Sequence, residues 1–336
     1  MIEGLIWAVF AGLMLGLYAL PEKYTKDFQF ENTWGLFFML TMFAVPVVAS
    51  MTLINGFGDV FGAVPSDIIF KMAAASFLWG IGVMMWGKAI NHIGLSLGFS
   101  LFIGTVILVG SLLPFLVDGL PANNTFLSIM AGILVVLIGV IMNGKAGLTR
   151  EKDEAKEEIA EGKGSVATGI TIAVVGGLLA TGFSYANAVG RPLLHEASQA
   201  NGNAEWVTAV AVMFPIFISG GIVMAAYFAW QLTQKKAWES FKTPAFGKNF
   251  GLILVMAVFH YAASALFAFA AFKLGELGNT VGYAIFNTAC VATAIVSGLI
   301  TGEWTKASSK ARQFLYTGLA CMIIGIIIVA YGNSLG

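Results

Sequence analysis

The chain has 336 residues, of which 58% are hydrophobic and 11% charged, and its mean hydropathy is +0.85. That charge content is less than half the roughly 25% of an average soluble domain, so water would not solvate such a globule whereas a bilayer would. Eighteen Lys and Arg balance eighteen Asp and Glu, with no basic stretch interleaved with aromatics, which argues against a nucleic-acid partner.

A helix needs about 20 mostly apolar residues to cross the hydrocarbon core. Ten such stretches lie between polar breaks, at about 4–20, 33–54, 68–88, 94–117, 125–143, 166–190, 206–232, 249–272, 279–301 and 312–332. Continuous apolar runs of this length exclude a β-barrel, whose strands alternate over short segments. The reading is an all-α, multi-pass membrane protein. The first run is a membrane helix and not a signal peptide, because no positive segment precedes it and Pro21-Glu22-Lys23 is a poor cleavage site.

Taken in chain order, the helices place few polar groups at membrane depth. Helix 1 carries Tyr18 and ends at Glu22 and Lys23, which either gate and carry a proton or extend to the lipid headgroups. Helix 3 carries Trp79 and Trp86 seven apart on one face, and helix 6 offers Ser184, Tyr185 and Asn187. His260 falls in the middle of helix 8, followed by Tyr261 and one turn before Ser264. An imidazole changes charge near physiological pH, which suits proton coupling or substrate binding; the competing role is a neutral histidine hydrogen-bonded between helices. Helix 9 carries Asn279, Tyr283 and Asn287 at i, i+4 and i+8, a polar face that must meet another helix or a water-filled cavity.

Flat aromatics with amides suit a neutral polyhydroxylated solute. A carboxylate or phosphate substrate calls for buried Arg or Lys, which the predicted helix centres lack, and no Asp falls inside any of the ten. The predicted substrate-binding set is therefore Tyr18, Trp79, Tyr185, Asn187, His260, Tyr261, Tyr283 and Asn287, with His260 and Glu22 as the proton-coupling groups. Glu303, opening the loop after helix 9, reads as an inner-gate or capping residue, while Lys88, His92, Lys273 and Glu276 read as residues of solvated turns.

Charge also sets orientation. Loops after odd-numbered helices hold fifteen of the Lys and Arg residues, against Lys71, Arg191 and Lys273 on the opposite side. The positive-inside rule then puts both termini outside and residues 144–165 in the cytoplasm. That linker, containing Lys152-Asp153-Glu154-Ala155-Lys156-Glu157-Glu158, reads as a solvated surface helix or flexible tether between a first five-helix unit (1–143) and a second (166–336). The halves resemble each other: residues 11–19 echo 176–186, and Gly94-Leu95-Ser96-Leu97-Gly98-Phe99 aligns with Gly278-Asn279-Thr280-Val281-Gly282-Tyr283. Five is odd, so the copies would lie inverted, the construction secondary transporters use for alternating gates.

Several apparent catalytic motifs lack their context. Gly94–Gly98 matches G-x-S-x-G without the strand that must precede it, and Gly56-Phe57-Gly58-Asp59 lacks a second carboxylate. His195-Glu196 has no second histidine, and there is no Walker A lysine motif. Cys290 and Cys321 sit in apolar runs and read as packing residues. Neither enzymatic activity nor a cofactor or metal is expected.

Trp79-Gly80-Ile81-Gly82, Gly87, Gly94–Gly98, Val109-Gly110 and Pro114 resemble, in order and spacing, the L-rhamnose/proton symporter family of the drug/metabolite transporter superfamily. Further matches are Tyr18-Ala19 with Pro21 and Lys23, Glu31 with Trp34, Leu137–Val140, Pro192–Ala197 and Glu303-Trp304. The chain departs from the family pattern at Trp7-Ala8, at Phe267–Ala271 and at Phe286-Asn287-Thr288. The resemblance implies ten helices in two inverted repeats, a substrate held near the midplane, and transport driven by a proton gradient. The expected function is proton-coupled import of a neutral monosaccharide such as L-rhamnose through the inner membrane. The alternatives are an exporter or exchanger of another small metabolite, which efflux from loaded vesicles would reveal, and a receptor that binds without flux.

Overall fold

The structure, a computed structural model, describes residues 2–154 and 166–335. Ten helices long and apolar enough to cross a membrane occur among them: α1 (Ile2–Tyr24), α2 (Phe30–Leu53), α3 (Ser66–Ile90), α4 (Leu97–Asp118), α5 (Asn123–Arg150), α6 (Ala167–Ala200), α7 (Glu205–Gln234), α8 (Phe246–Lys273), α9 (Gly278–Ile300) and α10 (Ser309–Asn333). All ten predicted stretches are present, and no strand occurs among the described residues.

Local chemistry explains where the helices depart from their expected bounds. Pro21 opens a tight final turn of α1 at Leu20–Tyr24, where its fixed φ fits and its missing N–H costs nothing, so Glu22 and Lys23 ride on the helix. In α2 the residues Leu40–Ala44 form a widened turn closed by the Val45 N–H on the Leu40 carbonyl, just before Pro46. Such single-turn bulges re-aim side chains and are frequent at functional sites; here the bulge carries Thr41.

The chain reverses sharply between α3 and α4 although its backbone stays helical. A Cβ on Gly98 would lie 3.5 Å from the Ile90 nitrogen, and the Trp86 ring lies 5.9 Å from Phe99 and 5.9 Å from Phe102. Eight residues of straight helix would span about 12 Å. His92 lies at this reversal with Nδ1 buried, not in a solvated turn as expected, whereas Lys88 is exposed. The Ser96 side chain lies outside the described residues.

Two helices run further than predicted. α5 continues as regular helix to Glu154, absorbing residues 144–154 of the expected linker, and residues 155–165 lie outside the described set. α6 does not stop at 190 but passes through Pro192, which places Arg191, His195 and Glu196 in a helix and not in a loop. Beyond the proline, Leu194, Ala197 and Ser198 are buried while Glu196 and Gln199 are exposed, so an amphipathic stripe stabilises the added turns.

α1 packs on α8 and α9, the α3–α4 hairpin packs on α6, and α5 packs along α10. The α5–α10 seam brings Gly132 and Gly139 against Gly325 and Gly318, an approach that lipid-embedded helices achieve with small residues. Ile138, Ile141, Ile323, Ile324 and Ile327 point outward, as apolar residues facing hydrocarbon would. Lys273 is no free turn residue: at one end of the bundle it pairs with Glu205 at 2.6 Å and Glu3 at 3.9 Å. At the other end Lys23 pairs with Glu303 at 2.8 Å and Lys235 with Glu31 at 2.5 Å.

Candidate functional site

Five of the predicted residues meet in one connected aromatic cluster. Tyr18 of α1 stacks on Phe37 of α2 with centroids 5.3 Å apart, and its ring edge lies 5.0 Å from the His260 imidazole of α8. His260 also faces Phe37 at 5.4 Å and Phe217 of α7 at 5.7 Å. Phe217 in turn meets Tyr261 at 5.0 Å and Trp79 at 5.6 Å. Trp79 reaches Phe183 of α6 at 5.2 Å, and Phe183 continues to Phe267 at 5.9 Å and Tyr283 at 6.4 Å. The Trp79 indole fits because Gly220 lacks a Cβ, which would sit 2.6 Å from the ring.

Burial varies across the cluster. Phe37, Phe217 and Phe267 are fully buried, whereas Tyr18, Trp79 and His260 are only half-buried. The cluster thus combines flat aromatic faces with hydroxyl and imidazole edges. The polar partner of His260 is Thr41, whose Oγ1 lies 3.2 Å from Nδ1.

Glu22 is coupled to the same cluster. Its carboxylate accepts from the Trp34 indole N–H at 2.7 Å, and Trp34 contacts Phe37 at 5.2 Å and Tyr18 at 6.3 Å. The neighbouring Lys23–Glu303 bridge ties α1 to the loop after α9 and holds the Glu303 carboxyl below its ordinary range, chiefly through the lysine hydrogen bond. The Arg150 guanidinium lies 4.8 Å above the adjacent Trp304 ring, adding the end of α5 to this junction.

Asn187 stands one turn from Phe183 in a second, polar arrangement. Its Nδ2 donates to Asn279 Oδ1 at 2.8 Å, and Asn279 Nδ2 donates to Asp118 Oδ2 at 3.0 Å. Asp118 is the last residue of α4 and Arg191 lies within α6, so two charged groups stand in helices that the predicted bounds left without them. The α9 stripe divides its work: Asn279 joins this chain, Tyr283 joins the aromatic cluster, and the Asn287 amide turns back to its own helix, donating to the Tyr283 carbonyl at 2.9 Å. Tyr185 lies elsewhere, on a lateral cleft of about 390 Å³ shared with Phe70, Lys71 and Leu178. Trp86 belongs to the α3–α4 hairpin.

Sequence reasoning overlooked Phe37, Thr41, Phe217 and Arg191. Pro46 and the run Phe37-Phe38 are the local signals that α2 is irregular and aromatic-rich.

A family model described as L-rhamnose-proton symport protein matches residues 1–335. The chain belongs to this family. As a symport-family member it is a transporter and not an enzyme. It is 24% identical over 342 residues to the L-rhamnose-proton symporter of Yersinia pestis (strain Pestoides F), covering 99% of the chain and 98% of the relative. The same figures hold for the L-rhamnose-proton symporter of Yersinia pseudotuberculosis serotype O:1b (strain IP 31758). The Escherichia coli (strain 55989 / EAEC) protein of that name is 23% identical over 341 residues, covering 98% of each chain.

Proposed function

We propose that the protein imports L-rhamnose, or a closely related neutral 6-deoxyhexose, together with protons across the inner membrane. The observation that carries this reading is the family match over residues 1–335, joined to an uncharged cluster of aromatic, hydroxyl and imidazole groups among the helices. The proton gradient supplies the energy, and no cofactor is required.

The solute is held by Tyr18, Trp79, His260, Tyr261 and Tyr283 of the aromatic cluster, with Asn187 and Asn287 on the α6 and α9 side, while Tyr185 stands apart on the lateral cleft. His260 and Glu22 carry the proton coupling. Glu22 suits this role because it is held by Trp34, which packs on Tyr18: a change of charge at the carboxylate is passed to a wall of the cluster. The chain is read as two inverted five-helix repeats, 1–143 and 166–336, joined by a cytoplasmic linker at 144–165. Both termini lie outside, in the arrangement of the drug/metabolite transporter superfamily. The fifteen-to-three division of Lys and Arg supports the orientation, and the paired segments of helices 1 and 6 and of 4 and 9 support the repeat.

The test is uptake of labelled L-rhamnose into proteoliposomes with an inside-alkaline pH gradient. Accumulation that a protonophore collapses is the expected result. Net efflux, or bound sugar without flux, would replace this reading with an exporter or a receptor.

A further inference from the structure

The polar chain on α4, α6 and α9 has a directional feature. Both amides spend their N–H donors toward Asp118: Asn187 Nδ2 on Asn279 Oδ1 at 2.8 Å, then Asn279 Nδ2 on Asp118 Oδ2 at 3.0 Å. Asn187 is 0% exposed and Asn279 1%, so the bond between them lies out of water, while Asp118 stands exposed at the end of α4. Asn187 Oδ1 is left buried with no hydrogen-bond partner among the described residues, and Arg191 Nη1 is in the same condition. Residues 187 and 191 are i and i+4 on α6, on one face and about 6 Å apart at Cβ. The face of α6 that carries Asn187 toward Asn279 therefore carries Arg191 one turn further on.

An orphaned acceptor and an orphaned donor one turn apart on one helix face, both atoms buried, are a costly arrangement unless a ligand completes them. A hydroxyl does so with one group: its O–H donates to Asn187 Oδ1 and its oxygen accepts from Arg191 Nη1. We propose that Asn187 and Arg191, braced by Asn279 and Asp118, form a hydroxyl-reading subsite for the transported sugar. This subsite is separate from the aromatic cluster and rests on the functional reading above. Ser184, one turn before Asn187, is already committed to the Gly110 carbonyl at 2.6 Å, and a Cβ on Gly110 would strike the Tyr283 ring. The subsite thus adjoins the cluster through Tyr283 and Phe183, and a monosaccharide can stack on one while a ring hydroxyl is read by the other. Asp118 acts as a positioning residue, because it fixes the Asn279 amide and leaves Asn187 Oδ1 free.

The test uses the purified full chain in nanodiscs and measures Kd for L-rhamnose and for its monodeoxy analogues. Wild type should lose tenfold or more on removal of one particular ring hydroxyl, since a site built to bond a hydroxyl rejects its absence. Arg191→Gln should weaken L-rhamnose at least tenfold and bind that same analogue no worse than wild type does, a non-additive result. Arg191→Lys, which keeps the charge, should show intermediate discrimination and serves if Arg191→Gln fails to fold. Unchanged Kd in both Arg191 variants, or equal losses for every analogue in wild type and variant, overturns the subsite. A wild-type protein that binds no L-rhamnose at all overturns the functional reading, and the subsite with it.

Discussion

Nδ1 of His260 lies 3.2 Å from the Thr41 hydroxyl, and the same hydroxyl donates to the Ala257 carbonyl at 3.2 Å. A threonine has one O–H to give. When that O–H goes to Ala257, the imidazole carries its hydrogen on Nδ1 and presents Nε2 as an acceptor, the tautomer that fits a sugar hydroxyl. Thr41 lies within the widened turn at Leu40–Ala44 and faces α8 from there.

Thr41→Val should raise the KM for L-rhamnose about tenfold with little change in maximal rate, because the tautomer is no longer fixed. Thr41→Ser should restore it. His260→Ala should abolish uptake, and intact sugar binding with intact gradient-driven uptake in that variant would remove His260 from the site.

Glu22→Gln keeps an acceptor for the Trp34 indole but cannot titrate. The expected phenotype is separation of two activities in proteoliposomes: sugar counterflow retained within about threefold, and pH-driven accumulation lost. Trp34→Phe removes the hydrogen bond without removing the carboxylate, so it should slow both activities while leaving accumulation dependent on the gradient. Equal loss of both activities in Glu22→Gln would assign the carboxylate to structure alone.

The Lys23–Glu303 bridge depresses the Glu303 carboxyl, so its contribution is present above the ordinary carboxylate range near pH 4.3 and disappears as pH falls through the lowered value. Both side chains are nearly half exposed, at 48% and 47%, so the bridge contributes about 0.5 kcal/mol or less after screening. Glu303→Gln should therefore leave the melting temperature almost unchanged at neutral pH. If the bridge closes a gate, the same variant should shift transport rates, and the difference from wild type should disappear as pH falls through the lowered Glu303 value. Identical rates for wild type and variant would leave it a surface pair.

A Cβ at Gly12 would lie 2.5 Å from the Ala289 Cβ and 2.7 Å from the Phe286 carbonyl, where α1 crosses α9. Gly12→Ala must push these helices apart and should cost about 1–3 kcal/mol. Gly58, with nothing near its missing Cβ, is the control: Gly58→Ala should leave the melting temperature unchanged.

Ten helices and their order were legible in the chain because hydrocarbon imposes a length and an apolar composition that no other environment demands, while the transport class followed from the family resemblance and the repeated halves. The α9 stripe of Asn279, Tyr283 and Asn287 was legible for a similar reason, since polar groups at helical spacing must find partners in lipid. Helix phase alone could not say which partner each would find: Asn279 turns to Asn187 and Asp118, Asn287 to its own backbone, and Tyr185 to a lateral cleft. Nor did the predicted end of helix 6 at 190 hold, because burial of Leu194 and Ala197 carries α6 past Pro192 and takes Arg191 with it. Phe37, Thr41 and Phe217 become neighbours of His260 only through packing among α2, α7 and α8. Sequence determined what must be buried in the membrane, a question of solvation that each segment answers by itself. Tertiary structure decided which buried groups face one another, since that depends on contacts between helices far apart in the chain.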